Sequence, residues 1–309
     1  MNITKALKVS AAITVSTLLS PYVIAQDTLN ICLDEDSAPY SYQHKGKGKG
    51  LDLDLAKKIA KEMDKELKVI WFEGENEKES SDALDANALL SKGLCDLVGG
   101  YALFEGSLGE ASIEKARLPD IDEQKRSKEW IELGKLVATT PYINSPFSVL
   151  AHKKSGIDTN IAELSQLKGY DIAGLHGTLP HLLLMSYKNG FLADDMNNLR
   201  WVDDIYGRLD VGDFDAILTE LHKYEYYEAT RNPNGIVKTR YYHSLGFNIG
   251  FVALAEKESL LREVNRYINK FTQSGEIAAM SASHNLTYIQ PMMPYVLKRD
   301  TLMKHLTTD

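Results

Sequence analysis

Between residues 29 and 101 the chain alternates short apolar runs with segments of helical periodicity. "LNICL" (29 to 33) has the length of a strand. "GLDLDLAKKIAKEM", after the glycine-rich "KGKGKG", repeats Leu51, Leu55, Ile59 and Met63 at intervals of four, which is one face of a helix. Asp52 and Asp54 in its first turn, with Lys57, Lys58 and Lys61 further on, complement the helix dipole. "LKVIWF" predicts a second strand, "DALDANALLSKG" a second helix and "CDLVGGY" a third strand. Strands regularly separated by helices require crossover connections, so the expected class is α/β with a parallel sheet.

From Glu105 to Leu133 the pattern lapses into charged, irregular sequence, expected to be a surface excursion or a lid, with a solvated loop carrying a short helix as the simplest form. A second unit of the same type begins near Pro146. Here "FSVLAH" and "YDIAGL" read as strands, "TLPHLLLMSYKNGF" as a helix, "NLRWV" as a strand, "IYGRLDVG" as a short helix, and "FDAILTEL" as a strand running into a tyrosine-rich helix. "GFNIGFVALA" (246 to 255) reads as a return strand, and closing helices follow with Leu261, Val264, Ile268 and Phe271 on one face. One half of the chain is thus expected to be inserted into the other.

The first 25 residues read as a secretory signal: Lys5 and Lys8, an apolar Ser/Thr-rich stretch, then Val23 and Ala25 as the small residues before Gln26. The apolar stretch is shorter than the roughly 20 residues a membrane span needs, so an exported protein without membrane insertion after signal removal is expected. A formal charge of −8 argues against nucleic acid, which calls for a basic face. In an oxidising compartment the two cysteines, Cys32 and Cys95, read first as a disulfide and second as two buried thiols.

"APYSY…GLDLDLAKKIAKEM", "LLSKGLCDLVGG", "TPYINSPFSVLAHK", "LSQLKGYDIAGLHGT", "GDFDAILTE" and "GFVALAEKESLLREVNRYINKFTQSGE" resemble, in sequence and order, the amino-acid-type extracellular solute-binding proteins of ABC importers, family 3. The resemblance covers nearly the whole chain after residue 25. It implies the two-lobed periplasmic binding protein fold (type II), with two hinge-crossing strands and a ligand cleft between the lobes. The lobes would be 26–146 with 246–309, and 147–245, the second inserted. It also implies that Cys32 and Cys95 lie on neighbouring strands, so a bridge would fasten the core of lobe one. Open α/β sheets bind ligands outside the carboxyl ends of their strands, which places "DED" (34 to 36) at the cleft.

The family's carboxylate-clamping arginine would fall near Leu108, and no basic residue lies between Cys95 and Lys115. Arg117 or Arg126 would substitute only if the excursion folded over the cleft. Gly177 and Thr178 precede a helix, where free N–H groups favour an anionic or polar group, and Thr178 reads equally well as an N-cap alone. Glu220 stands where the family has the aspartate that accepts a ligand ammonium. Tyr40 falls on a largely structural aromatic position, while Tyr101, Phe104 and Tyr142 are candidate cleft walls. Acids follow each of the first three strands: Asp34, Glu35 and Asp36; Glu73, Glu75, Glu77 and Glu79; and Glu105. Their summed field would draw in a cation.

The expected ligand-binding set is therefore Asp34, Asp36, Tyr40, Tyr101, Tyr142, Gly177, Thr178 and Glu220, with Asp34 and Glu220 as opposed partners of an amine-bearing or cationic solute. The expected role is a monomeric periplasmic binding protein, not an enzyme and without a cofactor, that delivers a small molecule to an ABC permease. Two alternatives stand beside it. One is metal capture by clustered carboxylates, although "DED" lacks the spacing of a calcium loop. The other is suggested by "CLDEDSAPYSY" and "GLCDLVGGYAL", which look similar to the branch accompanying periplasmic quinoprotein alcohol dehydrogenases, and would make a dehydrogenase the partner.

Overall fold

In the computed structural model, which describes residues 27–74, 82–122, 129–200 and 202–306, β1 (Thr28–Asp34) is the central strand of the first lobe. α1 (Leu51–Glu62) crosses from it to the parallel β2 (Glu66–Glu73), and α2 (Asp82–Ser91) crosses on to β3 (Leu97–Ala102) on the other side of β1. The signal segment, Glu75, Glu77, Glu79 and Arg126 lie outside the described residues.

Successive residues of a strand face opposite sides of the sheet, so β1 serves two cores. Leu29, Ile31 and Leu33 pack with Leu51, Leu55 and Ile59 of α1. Cys32 faces the other way, into a core with Ile70, Leu89 and Cys95. There the Cys32–Cys95 disulfide joins β1 to the chain entering β3, with Cα atoms 5.7 Å apart.

The second lobe is built on β4 (Ile143–His152), followed by β5 (Ile172–Leu175), α3 (Leu179–Ser186), β6 (Met196–Leu199), α4 (Ile205–Val211), β7 (Ala216–Glu220) and α5 (Leu221–Arg231). β8 (Ile236–Leu254) is 19 residues long and returns antiparallel to β4, from His152↔Ile236 to Ile143↔Ile249. Its far end pairs with β3 at Ile249↔Ala102, while β4 pairs with β7 from Phe147↔Glu220 to Ala151↔Ala216. β4 and β8 thus cross between the lobes within one ten-stranded sheet, in which the order β6-β5-β7-β4-β8-β3-β1-β2 is continued past β2 by Asp120–Ile121, and Leu136–Ala138 pairs with β8 off this path. α6 (Glu258–Gln273) and α7 (Glu276–Ser283) then close lobe one, with Leu261, Val264, Ile268 and Phe271 buried.

Two regions differ from the sequence expectation. The 105–133 excursion is neither a solvated loop nor a lid in its described part: Lys115–Arg117 pairs with Trp130–Glu132, and Asp120–Ile121 extends the sheet beside β2. Ala116, Leu118, Ile121 and Ile131 are the cause, because they bury themselves in the disulfide core. The short helical turn, Glu105–Ser107, is present at its start.

The chain beyond α7 does not stay on lobe one. The backbone N–H of Asn144 donates to the Ile289 carbonyl at 2.9 Å, and the Asn248 side chain bonds the Met292 and Tyr295 carbonyls at 2.7 and 3.0 Å. Leu297 then pairs with the segment after β3, its N–H donating to the Leu103 carbonyl at 2.8 Å. Finally α8 (Arg299–His305) settles on lobe two, where Leu297, Leu302 and Leu306 pack among Phe147, Tyr241 and Leu245. Asn144, Asn248 and Leu297 explain this path: each supplies polar groups or a strand edge that would otherwise be buried without partners.

Candidate functional site

At the carboxyl ends of β1 and β3 lies a cavity of about 340 Å³. Lobe one contributes Asp34, Ser37 and Ser107 as polar lining and Phe72, Val98, Tyr101 and Phe104 as apolar walls. Leu179 comes from the first turn of α3, Phe247 from the crossing strand β8, and Leu302 from α8. Both lobes and the C-terminal helix therefore meet at one space.

Asp34 ends β1, and its Oδ1 accepts the N–H of Asp36 at 2.8 Å. Asp36 itself is exposed. Tyr101 presents its ring to the cavity while its hydroxyl donates to the Ser107 carbonyl at 2.8 Å.

Gly99 and Gly100 form part of the lining, and Gly100 has φ +67. A Cβ at Gly100 would stand 2.9 Å from Asp52 Oδ2, so a bare backbone is needed there. Asp52 is fully buried behind these glycines: the Tyr142 hydroxyl donates to its Oδ1, and Oδ2 has no hydrogen-bond partner among the described residues. Burial pushes the Asp52 carboxyl up to about 7, against the opposing effect of the Tyr142 hydrogen bond. Tyr142 is thus held inside lobe one, its oxygen also accepting the Gly100 N–H at 3.3 Å.

On the other flank the lobes touch directly. The Tyr40 hydroxyl lies 2.8 Å from Nδ1 of His222, and Nε2 of His222 lies 2.8 Å from the Thr287 carbonyl. A carbonyl only accepts, so Nε2 carries the proton and Nδ1 accepts from Tyr40. Burial holds the imidazole below its usual pKa, and burial followed by the charge of Glu220 raises the Tyr40 phenol well above its own. Glu225, also buried, accepts the Thr287 N–H at 2.9 Å and the Thr287 hydroxyl. Tyr42 and Tyr226 add an edge-on ring pair at 5.3 Å.

Glu220 sits where β7 becomes α5, 2.9 Å from Lys223, and its charge acts on both Tyr40 and His222. Asp34 borders the cavity, and Glu220 is not among its lining residues. Gly177 makes a turn with φ +86, and Thr178 caps α3, its Oγ1 accepting the His181 N–H at 3.4 Å. Neither of these two lines the cavity, whereas the next residue, Leu179, does.

Sequence reasoning missed Asp52, His222, Phe247 and Leu302. Asp52 carried a signal, because it lies four residues before Ala56 and seven before Ile59 on the buried side of α1. Among the described residues no group of three or more His, Cys, Asp or Glu converges as metal ligands, and no helix is long and apolar enough to cross a membrane.

Residues 29–88 match the bacterial extracellular solute-binding proteins, family 3. No curated protein matches the chain. Among solved structures, an ancestral cationic amino acid solute-binding protein is similar with TM-score 0.59 and 19% identity, over 83% of this chain and 94% of the other. The second substrate-binding domain of Lactococcus lactis GlnP, in an open conformation, gives TM-score 0.59 and 16% identity over 84% and 96%. A histidine kinase sensor domain with similarity to periplasmic binding proteins gives 0.57 and 16% over 86% and 99%. At such identities the likeness concerns the fold.

Proposed function

We propose, for a chain that carries the family-3 solute-binding signature over residues 29–88 and the two-lobed fold of periplasmic binding proteins, that it captures a small amine-bearing or cationic solute for an ABC importer. The observation that carries this reading is the cavity at the carboxyl ends of β1 and β3, bordered by the carboxylate of Asp34 and by no basic side chain among the described lining residues. An ammonium there gains a charge-assisted partner, and the apolar walls around it lower the local dielectric and strengthen the contact. The solved structure of an ancestral cationic amino acid solute-binding protein, similar in fold, is consistent with a cation beside Asp34. The working form is an exported periplasmic monomer without catalytic activity, and Asp34, Tyr101 and Leu179 are the residues nearest the solute.

Titration calorimetry against amino acids, polyamines and simple amines tests the reading, with Asp34→Asn and Glu220→Gln alongside. An amine that binds and loses at least tenfold in affinity with Asp34→Asn supports it. Binding of a carboxylate-only solute sinks it. A second reading, an accessory protein for a periplasmic dehydrogenase, is favoured by the exposed Met292, Met293 and Tyr295 on the C-terminal segment. It predicts silence across the whole small-molecule panel.

A further inference from the structure

Asp34 is the one charged side chain among the described lining residues, and most of the remaining lining is apolar. Phe72, Tyr101 and Phe104 supply three rings from lobe one, and Phe247 a fourth from the crossing strand. Leu179 and Leu302 add aliphatic side chains from α3 and α8. The Tyr101 hydroxyl is turned away onto the Ser107 carbonyl, so its ring presents carbon to the interior. A volume of about 340 Å³ lies at the lower end of small-molecule pockets, the size class of a one- or two-ring molecule.

We infer that the cavity selects an aralkylamine, an aromatic or bulky apolar body with a single ammonium and no carboxylate, and that Leu302 of the C-terminal helix is a specificity-determining wall. This rests on the reading of the cavity as the ligand site. A second cationic end, such as the far ammonium of a diamine or a guanidinium, would meet no second carboxylate among the described lining residues and would face mostly rings, at a cost of roughly tenfold or more in affinity. A carboxylate would stand in the field of Asp34. Leu302 can act as a wall because α8 is fixed at both ends: Leu297 is paired to the segment after β3, and His305 Nδ1 lies 3.1 Å from the Ser244 hydroxyl. The largest apolar side chains of the site come from three separate parts of the chain, so a ligand body that fills them is contacted by both lobes and the tail at once.

The test is titration calorimetry of the full chain with 2-phenylethylamine, phenylalanine, putrescine, arginine and 2-phenylethanol, repeated on Leu302→Trp and Leu302→Ala. The expected result is binding of 2-phenylethylamine at least tenfold tighter than of phenylalanine, putrescine or arginine. Leu302→Trp should fill the space and abolish it, and Leu302→Ala should shift preference toward 2-(1-naphthyl)ethylamine. Circular dichroism checks that each variant is folded, and Leu302→Ala carries the test if the tryptophan variant is not. Equal binding of 2-phenylethanol and 2-phenylethylamine, unaffected by Asp34→Asn, would keep the apolar wall, remove the single ammonium from the inference and defeat the cation reading. Binding of putrescine or arginine that is indifferent to both Leu302 variants would overturn the inference and leave the cation reading standing. Silence from every probe would overturn both.

Discussion

Tyr40 of the first lobe and His222 of the second share a hydrogen bond of 2.8 Å at a point where both side chains are buried. In the neutral imidazole that burial favours, Nε2 donates to the Thr287 carbonyl and Nδ1 accepts from the Tyr40 hydroxyl. Burial lowers the imidazole pKa and outweighs the Thr287 carbonyl, Glu225 and Glu220, which favour the charged ring. A histidine whose folded pKa is lowered contributes stability above its unfolded value of about 6.5, and loses it as pH falls through that range. Calorimetric melts between pH 8 and pH 5 should therefore show a steeper fall for the wild type than for His222→Gln. Parallel curves would mean that His222 is not the titrating group.

Asp52 predicts a dependence of opposite sign. Its carboxyl is raised from 3.8 to about 7, so the stability it contributes is complete below about 4 and is lost as pH rises toward and through about 7. At about 1.4 kcal/mol per unit, the full change is on the order of 4 kcal/mol. Asp52→Asn should be more stable relative to the wild type at pH 8 than at pH 5, as read by urea unfolding at the two values. A gap independent of pH would defeat this account.

The Cys32–Cys95 bond closes a loop with a sequence separation of 63, for which chain entropy gives about 4 kcal/mol. Reductant should lower the urea midpoint of the wild type and leave the Cys32→Ala/Cys95→Ala protein unmoved. No response of the wild type to reductant would show that the bond contributes little.

Gly50 precedes α1 with φ +119, and a Cβ there would stand 2.2 Å from the Tyr40 carbonyl oxygen. Gly50→Ala should cost at least about 1–3 kcal/mol and, by displacing Tyr40, weaken the contact with His222. Comparing Gly50→Ala in the wild type and in Tyr40→Phe separates the two effects. Full additivity of the two substitutions would rule out the displacement.

Much of the scaffold was legible because its signals are local. The order of β1, α1, β2, α2 and β3, the buried face of α6 and the pairing of Cys32 with Cys95 each follow from short-range pattern or compartment. The first half of β8 was overlooked although Thr239, Tyr241, His243 and Leu245 alternate as buried residues with exposed Arg240, Tyr242 and Ser244, because the inward set is mostly polar or aromatic rather than aliphatic. The excursion hid its strands in the same way, with Ala116, Leu118 and Ile131 dispersed among charges. Asp34 could be assigned to a strand exit, but nothing local places Tyr40 and His222 beside Glu220, or Leu302 against a cavity nearly two hundred residues earlier in the chain. Those are relations between distant segments, set by how two lobes and a tail pack.

The tail that runs from Thr287 to His305 finds its partners only on a finished body. Glu225, Asn248 and Leu103 belong to a helix of one lobe, a crossing strand and an edge of the other lobe, and they lie along one path only when the crossing strands are in register. A chain with slipped strands would offer no such path and would leave its end a loose, cleavable peptide. The docked tail is therefore a record of correct assembly, and its resistance to a carboxypeptidase would report the fraction of molecules that have reached it.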